Sequence, residues 1–296
     1  MRAIVFSIDD NYVMPFKVFF YSLVKTGSLV DGDPIFVLHE ETLSKVSMAC
    51  LELFFSENGQ KANFVDVTRY LPDDLPILEG NHVSKATFYR LFVAELLPEE
   101  VSSILYLDSD VLAVKSIRDL LTIELTAPLA AVDHLSLNNQ LRLWGEGGGS
   151  YFQAGVLLID LVFWRRNKCV DAFDDIMKNE RDLIQWWDQD VLNIAFANNW
   201  QRLSVWNNVV NQTTIQFSEF ELLENAKLIH FDGRNKPWLG DVQRPFKDLW
   251  LTAYMDTFGK ELENQGPFPD TTLWQKFGRT IKKRVKQLIS GECDDH

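Results

Sequence analysis

Two carboxylates one residue apart, Asp108 and Asp110, close an apolar run that begins at Ile104. In extended backbone, residues i and i+2 point the same way, so both acids can reach one cation together. Hard oxygen ligands of this kind suit Mg²⁺ or Mn²⁺. A cation at the carboxyl end of a strand in an α/β sheet in turn suggests a phosphate-bearing substrate. An acidic turn after a core strand gives the same spacing, because i, i+2 acids also cap turns.

A second constellation gives the acidic pair its meaning. In Leu228-Ile229-His230-Phe231-Asp232-Gly233-Arg234-Asn235-Lys236-Pro237-Trp238, a histidine ends an apolar run, and a glycine and then a lysine follow before Pro-Trp. Histidine can be a third metal ligand, Gly233 lets backbone approach a phosphate, and Lys236 can neutralise phosphate charge. A lone histidine at a strand end is more often structural. The ordered set of histidine, glycine and lysine is harder to dismiss.

The elements that must position these residues alternate along the first two thirds of the chain. Short apolar strands are predicted at Ala3–Ser7, Ile35–Leu38, Asn63–Val67, Ile104–Leu107, Leu129–Val132, Gly155–Ile159 and Lys227–Phe231. Helices are predicted over Val13–Lys25, from Leu43 to about Glu57, and from about Cys169 and Asp188. Another is capped by Ser84 and ended by Pro98 after Leu97. This alternation implies an α/β fold with a largely parallel sheet flanked by helices. No G-x-G-x-x-G follows the first strand and no G-x-x-x-x-G-K-[ST] occurs, so neither the dinucleotide fingerprint nor the P-loop is present. Gly147-Gly148-Gly149 reads as a flexible loop.

Composition narrows the partners. A net charge of −13 over 296 residues argues against nucleic acid. Cys50, Cys169 and Cys293 are widely spaced, without metal-type pairing, which fits a reducing cytosol and offers no disulfide framework. Asp9 and Asp10 interrupt the N-terminal apolar run too early for a signal segment, and no uncharged stretch is long enough to span a bilayer. The expectation is a soluble protein, at most attached to a membrane surface. Residues 1–265 are expected to form one domain and 266–296 a tail of different character. Within the tail, Trp274, Phe277, Ile281, Val285 and Leu288 share one helical face, and from Trp274 to Ile289 there are six basic residues and no acid. Such a basic amphipathic helix suits an anionic membrane surface. Pairing with the acidic body is the alternative.

With these motifs in hand, the chain resembles the family 8 glycosyltransferases, and most nearly the bacterial lipooligosaccharide galactosyltransferases and their glucosyltransferase relatives. The likeness runs collinearly from residue 1 to about 250. It is carried by Phe6-Ser7-Ile8-Asp9-Asp10-Asn11-Tyr12, Tyr89-Arg90-Leu91, Leu105-Tyr106-Leu107-Asp108-Ser109-Asp110-Val111, Tyr151-Phe152-Gln153-Ala154-Gly155-Val156-Leu157-Leu158-Ile159, Asp188-Gln189-Asp190-Val191-Leu192-Asn193, and His230 to Trp238. The resemblance implies a GT-A fold, Rossmann-like, that binds a UDP-sugar and Mn²⁺ or Mg²⁺. By position, Asp108, Asp110 and His230 match the metal ligands, and Ser7, Asp9 and Asn11 match residues that hold the uridine. Arg90 matches a donor-sugar contact, Gly233 and Lys236 match phosphate contacts, and Ser109 sits within the donor-binding D-x-D element. Asp188 matches a sugar-hydroxyl ligand, and Gln189 the side chain near the anomeric carbon. The family usually has Asn where this chain has Gln153. The extra methylene extends the reach of that amide by roughly 1.5 Å, which leaves the donor sugar open.

The resemblance implies a retaining hexosyltransferase that uses UDP-galactose or UDP-glucose. In such an enzyme the acceptor hydroxyl attacks on the face UDP leaves, or a covalent intermediate forms first. Gln189 is a weak nucleophile because its carboxamide is neutral, and Asp190 is the alternative nucleophile, or else a residue that pairs with a lysine or caps the helix beginning near Asp188. Asp133 and His134 can touch donor or acceptor, or form a turn. Trp186 and Trp187 can stack on a sugar ring, or pack in the core. The acceptor is expected to be a lipid-linked or surface-destined glycan such as lipopolysaccharide, reached from the cytoplasmic face of the inner membrane. A soluble or protein acceptor, or a non-catalytic UDP-sugar-binding scaffold, are the rival readings.

Overall fold

The structure is a computed structural model that describes residues 1–76, 84–240 and 242–262. Nine strands form among these residues: β1 (Arg2–Ser7), β2 (Ile35–His39), β3 (Ala62–Asp66), β4 (Ser103–Leu107), β5 (Val111–Ala113), β6 (Leu129–Asp133), β7 (Phe152–Asp160), β8 (Gln201–Leu203) and β9 (Leu228–His230). Seven make one sheet in the order β3-β2-β1-β4-β7-β6-β8, and β5 pairs antiparallel with β9 in a small ribbon. Within the large sheet every strand runs one way except β7, which is antiparallel to both β4 and β6. The sheet is thus largely parallel, as the alternation predicts. Its one reversal puts the start of β7 beside the carboxyl ends of β4 and β6.

Alternating side chains divide the core between the two sheet faces. Val5, Ile104, Tyr106, Leu157 and Ile159 pack on one face with Phe88, Leu91 and Trp164. Phe6, Leu105, Leu107, Val156 and Leu158 pack on the other, against Phe16, Phe19, Phe20 and Leu23 of the Val13–Lys25 helix. Those four sit at helical spacing, and Phe20 meets Phe55 of the Lys45–Glu57 helix edge-on at 4.5 Å. The ribbon and the Lys247–Phe258 helix bury a third cluster around Leu112, Ile229, Phe231 and Trp250.

Four elements differ from the sequence expectation. The segment after Ser84 is a 3-10 helix over Lys85–Phe92 and becomes α only at Val93–Leu96. In the tighter helix residues i and i+3 eclipse, so Thr87 and Arg90 stand in line and both reach Asp188. Strand β7 starts at Phe152, three residues before the predicted Gly155. Its first residue gains a strand-like partner from a side chain: Asn193 accepts from the Phe152 N–H and donates to its carbonyl, both at 2.9 Å. Strands β5 and β8, three residues each, carry too little pattern to be read from sequence. The predicted basic helix at 274–289 lies outside the described residues. Among those described, no helix is long and apolar enough to cross a membrane.

Arg165 closes the turn between the Val93–Leu96 helix and β4. Its guanidinium donates to the carbonyls of Ala94 (2.9 Å), Leu97 (2.9 Å), Pro98 (3.0 Å), Glu99 (3.4 Å) and Val101 (2.9 Å). Ala94 and Leu97 lie at the helix end, where carbonyls lack intrahelical partners, and the other three belong to the turn that follows. Arg165→Ala is expected to lower unfolding free energy by about 2–3 kcal/mol in a urea titration. Arg165→Lys should recover little, because one ammonium cannot serve a fork of acceptors.

Candidate active site

A cleft of about 700 Å³ opens at the carboxyl ends of β1, β4 and β9 and the start of β7. Its size is that of an ordinary small-molecule site. Asp108 and Asp110 follow β4, and His230 ends β9. One ligand atom from each of the three lies within 4.8 Å of the other two. His230 Nε2 stands 3.1 Å from Asp110 Oδ1 and 3.9 Å from Asp108 Oδ2. Two carboxylates and an imidazole nitrogen form a donor set that fits Mn²⁺ and also accepts Mg²⁺.

The approach of these side chains depends on a gap in β7. A Cβ on Gly155 would lie 2.2 Å from His230 Cε1 and 2.8 Å from Asp108 Oδ2. A glycine inside a strand often marks such a close approach, and this was the available sequence signal. Strand pairing opens at the same place: Ala131 pairs with Leu157, while Val132 pairs with Gln153. The residues between leave the β6 ladder, and side chains take up their backbone groups. Gln189 Oε1 accepts from Ala154 N–H at 3.0 Å, and Gln153 Oε1 from Gly155 N–H at 2.5 Å. Arg90 donates to the Ala154 carbonyl, and the Asp108 N–H to the Gly155 carbonyl at 2.8 Å.

Charges in the cleft are closely paired. Arg90, 3% exposed, reaches Asp108 and Asp188 at 2.8 Å each and lies over the Tyr106 ring. Burial opposes its charge, but the two carboxylates hold its pKa above the usual arginine value. Tyr106 also donates to Asp108 Oδ1 at 3.2 Å, as strand neighbours two apart can. Burial pushes the Asp188 carboxyl up to about 6, against the pull of Arg90 and the Thr87 hydroxyl. Lys236 donates to Asp110 and to the Phe231 carbonyl. Burial would raise the Asp110 pKa, yet Lys236 and His230 hold it well below the usual carboxylate range. The imidazole of His230 would be lowered by burial, and Asp110 and Asp108 raise it instead.

Most of the residues read from sequence converge here. Ser7, Asp9, Arg90, Asp108, Ser109, Asp110, Gln153, Asp188, Gln189, His230, Gly233 and Lys236 all line the cleft. Ser109 donates to the Ser7 carbonyl at 2.7 Å, which joins the ends of β1 and β4. Asp9 caps the turn that follows β1 and accepts from the Asn11 and Tyr12 N–H groups. Asn11 is exposed and is not among the lining residues. Nor is Asp190: it is fully buried and accepts from Arg142, Tyr151 and the N–H groups of Gln185 and Trp186, all at 2.7–2.8 Å. Its carboxylate pins the turn before Asp188, where Trp187 takes a left-handed φ of +49°. Trp186 and Trp187 line the cleft, with Trp186 45% exposed and bonded through its indole N–H to Asn139. His134 also lines the cleft, while the Gly147–Gly149 loop does not.

A metal-type triad at the carboxyl edge of a largely parallel sheet, beside a cleft of small-molecule size, is an arrangement that suits a glycosyltransferase. The model of glycosyl transferase family 8 matches residues 3–241, and the chain belongs to that family. General stress protein A of Bacillus subtilis is 25% identical over 285 residues, which cover 88% of this chain and 97% of that one. A lipopolysaccharide 1,2-glucosyltransferase of Escherichia coli K12 is 29% identical over 238 residues, 76% of this chain and 68% of the other. Longer streptococcal glycosyltransferases are matched over 23–64% of their own length. In fold, the chain superposes on the galactosyltransferase LgtC, solved with donor and acceptor sugar analogues. The TM-score is 0.73 at 24% identity, and the match covers 91% of this chain and 98% of that one.

Gly155→Ala tests the geometry directly. The added methyl must push His230 from Asp108, so Mn²⁺ affinity measured by calorimetry is expected to fall at least about tenfold. Far-ultraviolet circular dichroism should stay that of the parent.

Proposed function

We propose that the protein is a retaining hexosyltransferase that moves galactose or glucose from UDP to a hydroxyl of a glycan acceptor, with Mn²⁺ or Mg²⁺ as cofactor. The observation that carries this reading is the Asp108–Asp110–His230 cluster on the wall of a nucleotide-sized cleft. When bound there, a divalent cation supplies electrostatic stabilisation of the departing diphosphate. Lys236, buried beside Asp110, adds a fixed positive charge on the same side, and Gly233 (φ +74°) lets the chain pass close to phosphate. Ser7 and Asp9 are assigned to the uridine, Arg90 and Gln153 to the sugar, and Asp188 to a sugar hydroxyl; Asn11, outside the cleft, is not assigned a donor contact.

The surroundings of Gln189 favour front-face attack. Its carbonyl oxygen accepts from Ala154 N–H and its amide donates to the Tyr151 hydroxyl at 3.0 Å. A neutral oxygen already engaged this way is a poor nucleophile, and Asp190 is closed off by its own hydrogen bonds. The acceptor oxygen then bonds to C1 as the C1–O bond to UDP breaks, and its proton passes to a diphosphate oxygen. Gln189 stabilises the oxocarbenium-like sugar as a fixed dipole.

A lipid-linked or surface-destined acceptor accords with the lipopolysaccharide glucosyltransferase relative, as does a cytoplasmic enzyme whose 274–289 segment rests on the anionic inner leaflet. Removing residues 271–296 is expected to abolish binding to anionic liposomes at low salt. Unchanged binding would sink the membrane assignment alone.

Incubation with a panel of UDP-hexoses and Mn²⁺, without acceptor, should release UDP slowly from one donor, and EDTA should stop it. Asp110→Ala should cut that rate on the order of 10²–10³-fold. Tight Mn²⁺-dependent UDP binding with no release from any donor, with or without glycan acceptors, would favour a non-catalytic scaffold.

A further inference from the structure

We propose that Gln153 and Asn208 are positioning residues that fix which nitrogen of His230 faces the cation site. The inference rests on the reading of Asp108, Asp110 and His230 as cation ligands. It begins from a group whose role is not in question, the backbone N–H of Gly155. An N–H can only donate, so the Gln153 side-chain atom 2.5 Å from it is the carbonyl oxygen. That oxygen also faces the Asn208 amide at 2.6 Å, so the Asn208 atom there must be the NH₂ group. Asn208 then presents its own oxygen to His230 Nδ1 at 3.2 Å, which calls for a proton on Nδ1. Nε2 is left to face Asp108 and Asp110, with its lone pair available to a cation.

Each group in the relay is buried, Asn208 and His230 almost completely, so an unmatched polar atom would be costly at every step. Asn208 does not line the cleft and acts only through its neighbours. Gln153 does line it, and both lone pairs of its oxygen are already used. Toward a donor sugar it can therefore act only through its NH₂, as a hydrogen-bond donor. A single amide thus links the sugar side of the cleft to the orientation of a metal ligand.

Mn²⁺ titration of the full chain without nucleotide, followed by the electron paramagnetic resonance signal of free Mn²⁺, tests the relay. Asn208→Ala and Gln153→Ala are each expected to weaken binding about tenfold or more. The double variant should be no weaker than Asn208→Ala, because Gln153 acts through Asn208. Unchanged affinity in Asn208→Ala, or losses that multiply in the double variant, would overturn the relay and leave the cation site standing. Absence of Mn²⁺ binding by the parent chain would overturn both. A second measurement needs no variant: ¹⁵N-histidine resonance of the Mg²⁺-loaded protein should show His230 protonated at Nδ1. A proton on Nε2 instead would refute the assignment.

Discussion

Two like charges at the end of one buried strand set the terms for everything around them. With ligand oxygens within 4.8 Å of each other and an effective dielectric of about 20, two carboxylates repel by roughly 3 kcal/mol or more. The fold answers with cations placed one to each acid, Arg90 on Asp108 and Lys236 on Asp110, and with His230 between them. Arg90 in turn needs a second carboxylate, Asp188, because a guanidinium this deeply buried is costly without full pairing. Asp188 is held by Thr87, which shares the 3-10 helix with Arg90. An electrostatic problem at one strand end thereby bears on the conformation of a helix packed on that face of the sheet.

Reversing one strand solves a different problem. A wholly parallel sheet offers a site only loops that leave strands. With β7 antiparallel, the chain entering a strand reaches the same edge, and its backbone comes within hydrogen-bond distance of Arg90, Gln189 and Asp108. The gap in pairing between β6 and β7 releases those backbone groups without leaving them orphaned. Main chain held by side-chain hydrogen bonds forms the floor of the cleft.

How much of this could be read from sequence depended on how local each cause was. Seven of the nine strands and the Asp108–Asp110 pair are written in consecutive residues, so alternation and spacing found them. His230 was legible because a glycine and a lysine follow it at short range. Asn208 was not, since a lone asparagine in an irregular stretch looks like any turn residue, and its partners lie 22 and 55 residues away. Nor could spacing tell that the two acids of the Asp188–Asp190 stretch part company. On a helix they point in different directions, one into the cleft and one into a closed ring of donors. The 3-10 geometry of Lys85–Phe92 was hidden for a similar reason, as the pull on Thr87 and Arg90 comes from Asp188, about a hundred residues away.

The small ribbon of β5 and β9 carries a consequence for assembly of the chain. Val111 pairs with His230, and the Phe231 N–H donates to the Asp110 carbonyl at 2.9 Å. Lys236 meets Asp110 across 126 residues. During synthesis the paired acids emerge long before the histidine and lysine that offset them, so until then they sit beside an unfinished edge. The three-residue cluster is therefore complete only once the segment that carries His230 has docked. Any cation held by this cluster would then report that the segment carrying His230 has docked.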